Sequence, residues 1–139
     1  MKMDINPYLS FNGQCEAAFK FYEKCFGASS PSFFKYGGSP METHVPADWL
    51  NKVMHASLVV GAATIMGADA PPGQFTQPAG FSVSIHMDSP QDAERIFNAL
   101  SQGGKIQMPL QQTFWAARFG MLIDQFGIPW MFNVEQPQP

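Results

Sequence analysis

His55 is the side chain best suited to acid–base chemistry in this sequence, because an imidazole titrates near neutral pH. It lies in the run KVMHASLVV, residues 52–60, where alternation places it on one strand face with Ser57 and Val59. There it could act as a pocket acid, base or hydrogen-bond donor. A core histidine bonded to a backbone carbonyl fits the pattern equally well. Both interpretations stay open, and His55 is the candidate catalytic residue.

Aromatic side chains concentrate in the stretch TFWAARFGMLIDQFGIPWMFNV, residues 113–134. Such side chains could form a stacking wall for a planar or apolar ligand. Phe114 and Trp115 lie outside regular alternation and are the better candidates for that wall. Trp130 lies in a strand-like run, so we expect it in the core.

Arg118 has only apolar neighbours in sequence and is the most informative charge in the stretch. At the mouth of an aromatic pocket it could clamp a carboxylate or a phosphonate. An ion pair with Asp124, or a contact at a dimer edge, explains it as well and is slightly favoured.

Strand alternation also predicts a polar inner face. In FSVSIHM, residues 81–87, the helix-facing set is Phe81, Val83, Ile85 and Met87, and the opposite set is Ser82, Ser84 and His86. In the first strand Leu9 and Phe11 are predicted to face the helix, with Tyr8 and Ser10 opposite. Small polar inner residues suggest a cup, with Tyr8, Ser82 and Ser84 as ligand contacts. We interpret His86 as solvated.

An internal repeat sets the positions of these residues. Ala18, Phe21, Tyr22 and Cys25 form a helical stripe, and the same spacing recurs 75 residues later at Ala93, Ile96, Phe97 and Leu100. A strand precedes each helix, and three strand-like runs follow it. We therefore predict an α+β fold of two tandem βαβββ modules, whose curved mixed sheets surround a cup. A single domain of residues 1–139 is expected, with modules at about 4–68 and 80–135 and a linker at about 69–79.

The composition limits the classes of partner. The net charge is -3, with eight Lys and Arg and no basic cluster, so we expect no nucleic-acid partner. No apolar run approaches the roughly 20 residues of a membrane span, and the N-terminus lacks a signal-peptide pattern. Cys15 and Cys25 fall roughly 15 Å apart on one predicted helix and cannot pair within it. Free thiols and these features predict a cytoplasmic protein.

The motifs PYLSFNGQCEAAFKFY, HASLVVG, QQTFW and DQFGIPWMFNV resemble the PhnB-like branch of the vicinal oxygen chelate superfamily. That superfamily includes glyoxalase I, bleomycin and fosfomycin resistance proteins, and extradiol dioxygenases. The resemblance covers nearly the whole chain. The branch usually carries an acidic residue before TFW, and this chain has Gln112 there, which weakens the case for a general base at that point.

The resemblance implies four positions for divalent-metal ligands. The first falls at Asn6, Pro7 or Tyr8, the second at His55, the third at Ser82 and the fourth near Met131. Only His55 is a strong ligand, whereas a catalytic site needs about three. We therefore predict no metal and no other cofactor. His44, His86 and Glu42 could substitute, but their spacing matches no ligand motif.

Three hypotheses of function follow. The first is a small-molecule-binding protein of this superfamily that works without the metal. The second is a metal-dependent isomerase, lyase or dioxygenase that uses His55. The third is an assembly role through the homodimer that the resemblance implies. The methyltransferase label given to this branch is discounted, because no Gly-rich turn for S-adenosylmethionine follows a strand. The sequence does not identify the ligand.

Overall fold

The computed structural model describes residues 1–135. The chain divides into two compact units, Met1–Gln77 and the part from Pro78 onward. The division falls inside the linker predicted at residues 69–79. Within residues 1–135, no helix is both long and apolar enough to cross a membrane. The single-domain assignment stays a prediction.

The first unit contains one α-helix, two short 3-10 helices (Glu42–His44 and Ala47–Trp49) and a four-stranded mixed sheet. Its elements are β1 (Tyr8–Phe11), α1 (Cys15–Phe26), β2 (Ser32–Lys35), β3 (Val53–Val60) and β4 (Ala63–Asp69). The strand order is β1-β4-β3-β2. β1 runs parallel to β4, and the other two pairs are antiparallel.

The second unit repeats this plan. Its elements are β5 (Val83–Met87), α2 (Pro90–Leu100), β6 (Lys105–Gln111), β7 (Arg118–Ile123) and β8 (Pro129–Val134). The strand order is β5-β8-β7-β6, with β5 parallel to β8. The predicted α+β fold of tandem βαβββ modules is therefore confirmed. The cup between the sheets stays a prediction.

Helix α1 buries a face that differs from the predicted stripe in one residue. Ala18, Tyr22 and Cys25 are buried as expected, but Phe19 is fully buried and Phe21 is only half-buried. Phe19 lies one turn after Cys15, which is also buried, so these two extend the face toward the start of the helix. Gly27 ends the helix in the left-handed conformation that glycine adopts without strain.

Helix α2 follows the sequence prediction closely. Its buried residues are Ala93, Ile96, Phe97 and Leu100. The Ser89 hydroxyl accepts a hydrogen bond from the Asp92 backbone N–H, and Pro90 occupies the first turn. The Asp92 carboxylate accepts a hydrogen bond from Arg95.

The strand faces largely match the predicted alternation. Leu9 and Phe11 are each 1% exposed, whereas Tyr8 and Ser10 are exposed. In β5 the odd-numbered residues are half-buried, and Ser84 and His86 are exposed. Phe81 was wrongly assigned to the helix-facing set: it precedes β5, and 53% of it is exposed.

Candidate functional site

The face of the first sheet that points away from α1 brings together several sequence-predicted residues. Register places Tyr8 beside Met66, and Met66 beside Ser57. We call this surface the open face of the first sheet. Its residues are Tyr8, Ser10, Ser32, Phe34, His55, Ser57, Val59, Thr64, Met66 and Ala68.

Tyr8 and His55 form a hydrogen-bonded pair on this face. The phenol oxygen lies 3.0 Å from Nδ1 of the imidazole, and the ring centroids are 5.6 Å apart. Although β4 lies between their strands, the two side chains meet above it. Gly67 pairs with Ala56, so Ala68 lies beside His55, and its small methyl group leaves room for the contact.

The hydrogen bond of this pair can form in either direction. Burial raises the pKa of the Tyr8 phenol, so the hydroxyl keeps its hydrogen at neutral pH. In one imidazole tautomer the phenol donates to Nδ1 and Nε2 carries the ring hydrogen, and in the other Nδ1–H donates to the phenol oxygen. In both arrangements one hydrogen, on Nε2 of His55 or on the Tyr8 oxygen, remains for a neighbouring acceptor.

Phe34 extends the pair into a row of three rings. It pairs with His55 in the sheet register, and their ring centroids are 6.4 Å apart. Phe34 is 61% exposed and Tyr8 is 50% exposed, which is unusual for aromatic side chains in a sheet. Phe34 was not among the residues predicted for the site, although alternation within SFFKY, residues 32–36, places it on the face opposite the helix.

In the second unit, the face that points away from α2 carries a different set of groups. The Ser84 hydroxyl lies 3.1 Å from Nε2 of His86. These residues pair with Met131 and Asn133 of β8. Ser82 lies just before the strand and is half-buried.

An aromatic cluster lies at the start of β7. Phe119 projects on the same side as Asn133, its partner in the register. Its ring lies 5.4 Å from Trp115, which in turn lies 4.8 Å from Phe114. Phe114 is 92% exposed and Trp115 is 52% exposed, so both are available for contacts with a ligand.

Arg118 lies on the other side of this sheet. It pairs with the buried Val134, and its Nε lies 3.6 Å from a carboxylate oxygen of Glu94 on α2. The ion pair that the sequence suggested with Asp124 is therefore made with Glu94 instead. Arg118 is not brought together with Ser84 or His86. Its role as an anion clamp at the mouth of an aromatic pocket stays a prediction.

Each unit contains one buried aspartate whose carboxylate accepts three N–H hydrogen bonds. Neither role was predicted from the sequence. Asp69, 1% exposed, accepts hydrogen bonds from the backbone N–H groups of Gly13, Cys15 and Val53. In the second unit, Asp124 accepts hydrogen bonds from three N–H groups of its own hairpin, those of the Phe126 and Ile128 backbone and the Trp130 indole. Trp130 is 1% exposed, so its predicted place in the core is confirmed.

A cavity of about 350 Å³ adjoins the start of α1, on the side away from the open face. Its charged groups already have partners within the protein. Glu16 accepts hydrogen bonds from Lys20 and Lys35, and Lys52 donates to the Gly13 carbonyl. With Asp69 also saturated by backbone donors, we interpret the cavity as part of the structural frame.

The residues at the implied metal positions form a poor coordination set. Tyr8 and His55 lie together, but they bond each other, and Ser82 and Met131 are weak ligands for the superfamily's divalent metals. No group of three or more His, Cys, Asp or Glu side chains able to hold a metal ion occurs within residues 1–135. The donor chemistry therefore does not fit the metal centre that the resemblance implies.

Comparison with known proteins identifies the family. A family model described as 3-demethylubiquinone-9 3-methyltransferase matches residues 3–132. Protein PA1353 from Pseudomonas aeruginosa is 46% identical, and its crystal structure gives a TM-score of 0.88 over 98% of this chain and 100% of that chain. The PhnB protein from Bacillus cereus is 25% identical, with a TM-score of 0.74 over 95% and 99% of the two chains. The chain belongs to the PhnB-like family.

The PhnB-like family lies within the vicinal oxygen chelate superfamily. The fosfomycin resistance protein FosX from Listeria monocytogenes has the same fold, with a TM-score of 0.62 over 98% of this chain and 95% of that chain. At 10% identity this likeness concerns the fold alone. The family expected from the sequence motifs is confirmed.

Proposed function

We propose that this PhnB-like protein binds a small molecule on the open face of its first sheet, without the divalent metal usual in the superfamily. The observation that carries the proposal is the 3.0 Å hydrogen bond between the Tyr8 phenol and the His55 imidazole. It joins residues at two of the four implied metal-ligand positions. A hydrogen-bonded phenol and imidazole can orient a ligand, whereas a metal centre needs about three strong donors.

The candidate ligand contacts of the first unit are Tyr8 and His55. In the second unit, exposure supports Ser84, Phe114 and Trp115 as further candidates, and Ser82 stays a candidate from the sequence. Arg118 also stays a candidate from the sequence, although it projects toward α2 and contacts Glu94. His55 stays the candidate for any acid–base step.

The methyltransferase named in the family description is not the activity we propose. An S-adenosylmethionine site needs a Gly-rich turn that follows a strand of a doubly wound parallel sheet. The described strands form two four-stranded mixed sheets, and β1 is joined to α1 by a short segment with one glycine, Gly13. This topology supports a ligand-binding protein of the vicinal oxygen chelate type.

Metal analysis tests the proposal directly. Protein purified without chelator is expected to contain far less than one metal ion per chain, and calorimetric titration with Ni²⁺, Zn²⁺ and Mn²⁺ is expected to detect no tight site. A His55→Ala variant should behave identically in these titrations. Tight stoichiometric binding that His55→Ala abolishes would overturn the proposal.

A metal-dependent isomerase, lyase or dioxygenase is the second candidate, favoured by an imidazole at one implied metal position. It predicts that His55→Ala loses metal and turnover together, and that Tyr8→Phe, at another implied ligand position, weakens both. Tyr36→Phe is a matched control for loss of a phenol, since the Tyr36 hydroxyl donates to the Asp69 carbonyl, away from the open face. Unchanged turnover in His55→Ala would contradict this candidate.

We also propose that the protein forms a homodimer and acts in the cytoplasm. Each sheet leaves two edge strands, β1 and β2 in the first unit and β5 and β6 in the second. Unpaired edges favour pairing between chains. Light scattering coupled to size exclusion should give twice the 15.4 kDa chain mass. A monomer at micromolar concentration would contradict the dimer.

A further inference from the structure

We propose that the ligand of the open face is an uncharged molecule with a planar ring and an oxygen acceptor. This inference rests on the proposed function and specifies the chemical class of its ligand. Three observations carry it: the distribution of charge in the first unit, the row of exposed rings, and the hydrogen-bond chemistry of the Tyr8–His55 pair.

The open face of the first sheet carries no Asp, Glu, Lys or Arg side chain among the described strand residues. The charged side chains of β1 to β4 are Lys35 and Asp69, and both lie on the side of α1. Lys35 contacts Glu16, and Asp69 accepts three backbone hydrogen bonds. A charged ligand on the open face would lose water without gaining a counter-ion from these strands, which is unfavourable.

The ring row favours a planar ligand. Successive centroids lie 5.6 Å apart from Tyr8 to His55 and 6.4 Å apart from His55 to Phe34. A ligand of two fused rings can therefore contact at least two of these side chains at once. Exposed aromatic rings gain dispersion and quadrupole energy from a planar partner, and they impose little loss of side-chain freedom.

The pair offers a hydrogen-bond donor in either imidazole tautomer. One of its two hydrogens forms the bond between Tyr8 and His55, and the other, on Nε2 of His55 or on the Tyr8 oxygen, is available to a ligand. A carbonyl or ether oxygen on the ring system can accept this hydrogen bond. Ser10, Ser57 and Ala68 near the pair carry small side chains, and Met66 beside Tyr8 has a flexible one that can adapt to such a group.

NMR titration of the full-length ¹⁵N-labelled protein with three probes tests the inference. The probes are 2-quinolone, which is neutral and carries a carbonyl oxygen, quinoline-2-carboxylate, which adds a negative charge to the same ring system, and phenylphosphonate. We expect 2-quinolone to shift backbone amides of β1 and β3 and to bind at least about tenfold more tightly than either anion.

Two variants sharpen the result. Phe34→Leu should weaken 2-quinolone binding by about three- to tenfold through loss of ring contacts, and Tyr8→Phe should weaken it through loss of the hydroxyl that fixes the imidazole. Phe81→Leu, at an exposed aromatic before β5, is the control and should leave affinity unchanged. Circular dichroism should be the same for all three variants.

The outcomes separate this inference from the proposed function. Tighter binding of either anion at the same amides would overturn the ligand class and leave the proposed site intact. Failure of 2-quinolone to shift amides of β1 and β3 would also overturn the ligand class. Stoichiometric metal binding at His55 would instead overturn the proposed function.

Discussion

The two units of this protein share one topology but carry different side chains on the sheet face that points away from the helix. In both, a helix packs on one side of a four-stranded mixed sheet. Away from the helix, the first unit has a row of rings with a phenol–imidazole pair, whereas the second has Ser84, His86 and a cluster of methionine and aromatic side chains. The helix-facing sides fix the fold, so the opposite sides are free to differ in chemistry.

The anchoring of the helices differs as well. Asp69 accepts hydrogen bonds from Gly13 and Cys15 at the start of α1, so a residue distant in sequence caps that helix. The cap of α2 is local, because the neighbouring Ser89 accepts the bond from Asp92. The first unit therefore depends more strongly on a single long-range carboxylate.

Asp69→Asn should produce the largest effect on stability. The amide keeps one acceptor oxygen for Gly13 and Cys15, but its NH₂ group then faces the buried N–H of Val53. We expect a loss of about 3 kcal/mol in the free energy of unfolding, measured in urea. Asp124→Asn is the matched variant of the second unit, and we expect about 2 kcal/mol, since its three donors lie within one hairpin. An equal or larger loss in Asp124→Asn would contradict the proposed difference between the units.

Gly67→Ala and Gly120→Ala should produce the next largest effects. A Cβ atom at Gly67 would lie 2.7 Å from the Leu9 carbonyl oxygen and 2.9 Å from the Phe19 ring. At Gly120 it would lie 2.9 Å from the Phe97 ring and 3.0 Å from the backbone of Leu110. The absence of a side chain at each glycine thus allows a phenylalanine of the helix, Phe19 in α1 or Phe97 in α2, to pack closely against the sheet.

Overpacking of this kind costs about 1–3 kcal/mol. We expect the larger loss of stability at Gly67. The nearest atom to its added Cβ is a backbone oxygen at 2.7 Å, whereas at Gly120 it is a side-chain ring atom at 2.9 Å, and a backbone atom relaxes less easily than a side chain. Thermal unfolding of both variants measures the effect. Unchanged stability in both would show that helix and sheet can separate at little cost, contrary to the packing described.

The sequence predicted features that depend on local periodicity. The buried stripe of α2 and the two faces of β1 follow from spacing alone. Each element buries only one side, so its apolar residues recur with the period of a helix or a strand. Strand β7 shows where this fails. Its residues Phe119 and Met121 are as apolar as Leu122, so alternation does not decide which side meets the helix.

For the candidate site, the sequence predicted individual residues but not the contacts between them. Tyr8 and His55 were selected individually, but their contact depends on strand order, which places β4 and its small residue Ala68 between them. The partner of Arg118 depends on how α2 packs, which no local pattern reveals. The roles of Asp69 and Asp124 were missed because all three donors to Asp69 and two of the three donors to Asp124 are backbone N–H groups, which leave no mark in the sequence.

Ser89→Ala should have a moderate effect that is confined to the second unit. The variant removes the side-chain acceptor for the Asp92 N–H, and the loss of such a cap costs about 1 kcal/mol. Gln14→Ala is the matched variant for α1, where the corresponding side chain makes no cap hydrogen bond. Amide hydrogen exchange should show faster exchange in the first turn of α2 only. Comparable changes in both helices would contradict the distinction between local and long-range caps.

Glu16→Gln should have the smallest effect, visible only as a change in pH dependence. Hydrogen bonds from Lys20 and Lys35 lower the pKa of Glu16 from 4.5 to about 2. A carboxyl group whose pKa falls on folding adds stability above pH 4.5, and this contribution is lost as the pH drops toward 2. Because the group is partly exposed and screened, the contribution is below about 1 kcal/mol.

The difference in unfolding free energy between wild type and Glu16→Gln should therefore narrow between pH 4.5 and 2. Glu94→Gln, which removes the longer 3.6 Å contact with Arg118, is the matched variant of the second unit. An equal change in the two variants would mean that the ion pairs of the two units are equivalent, despite the two lysine partners of Glu16.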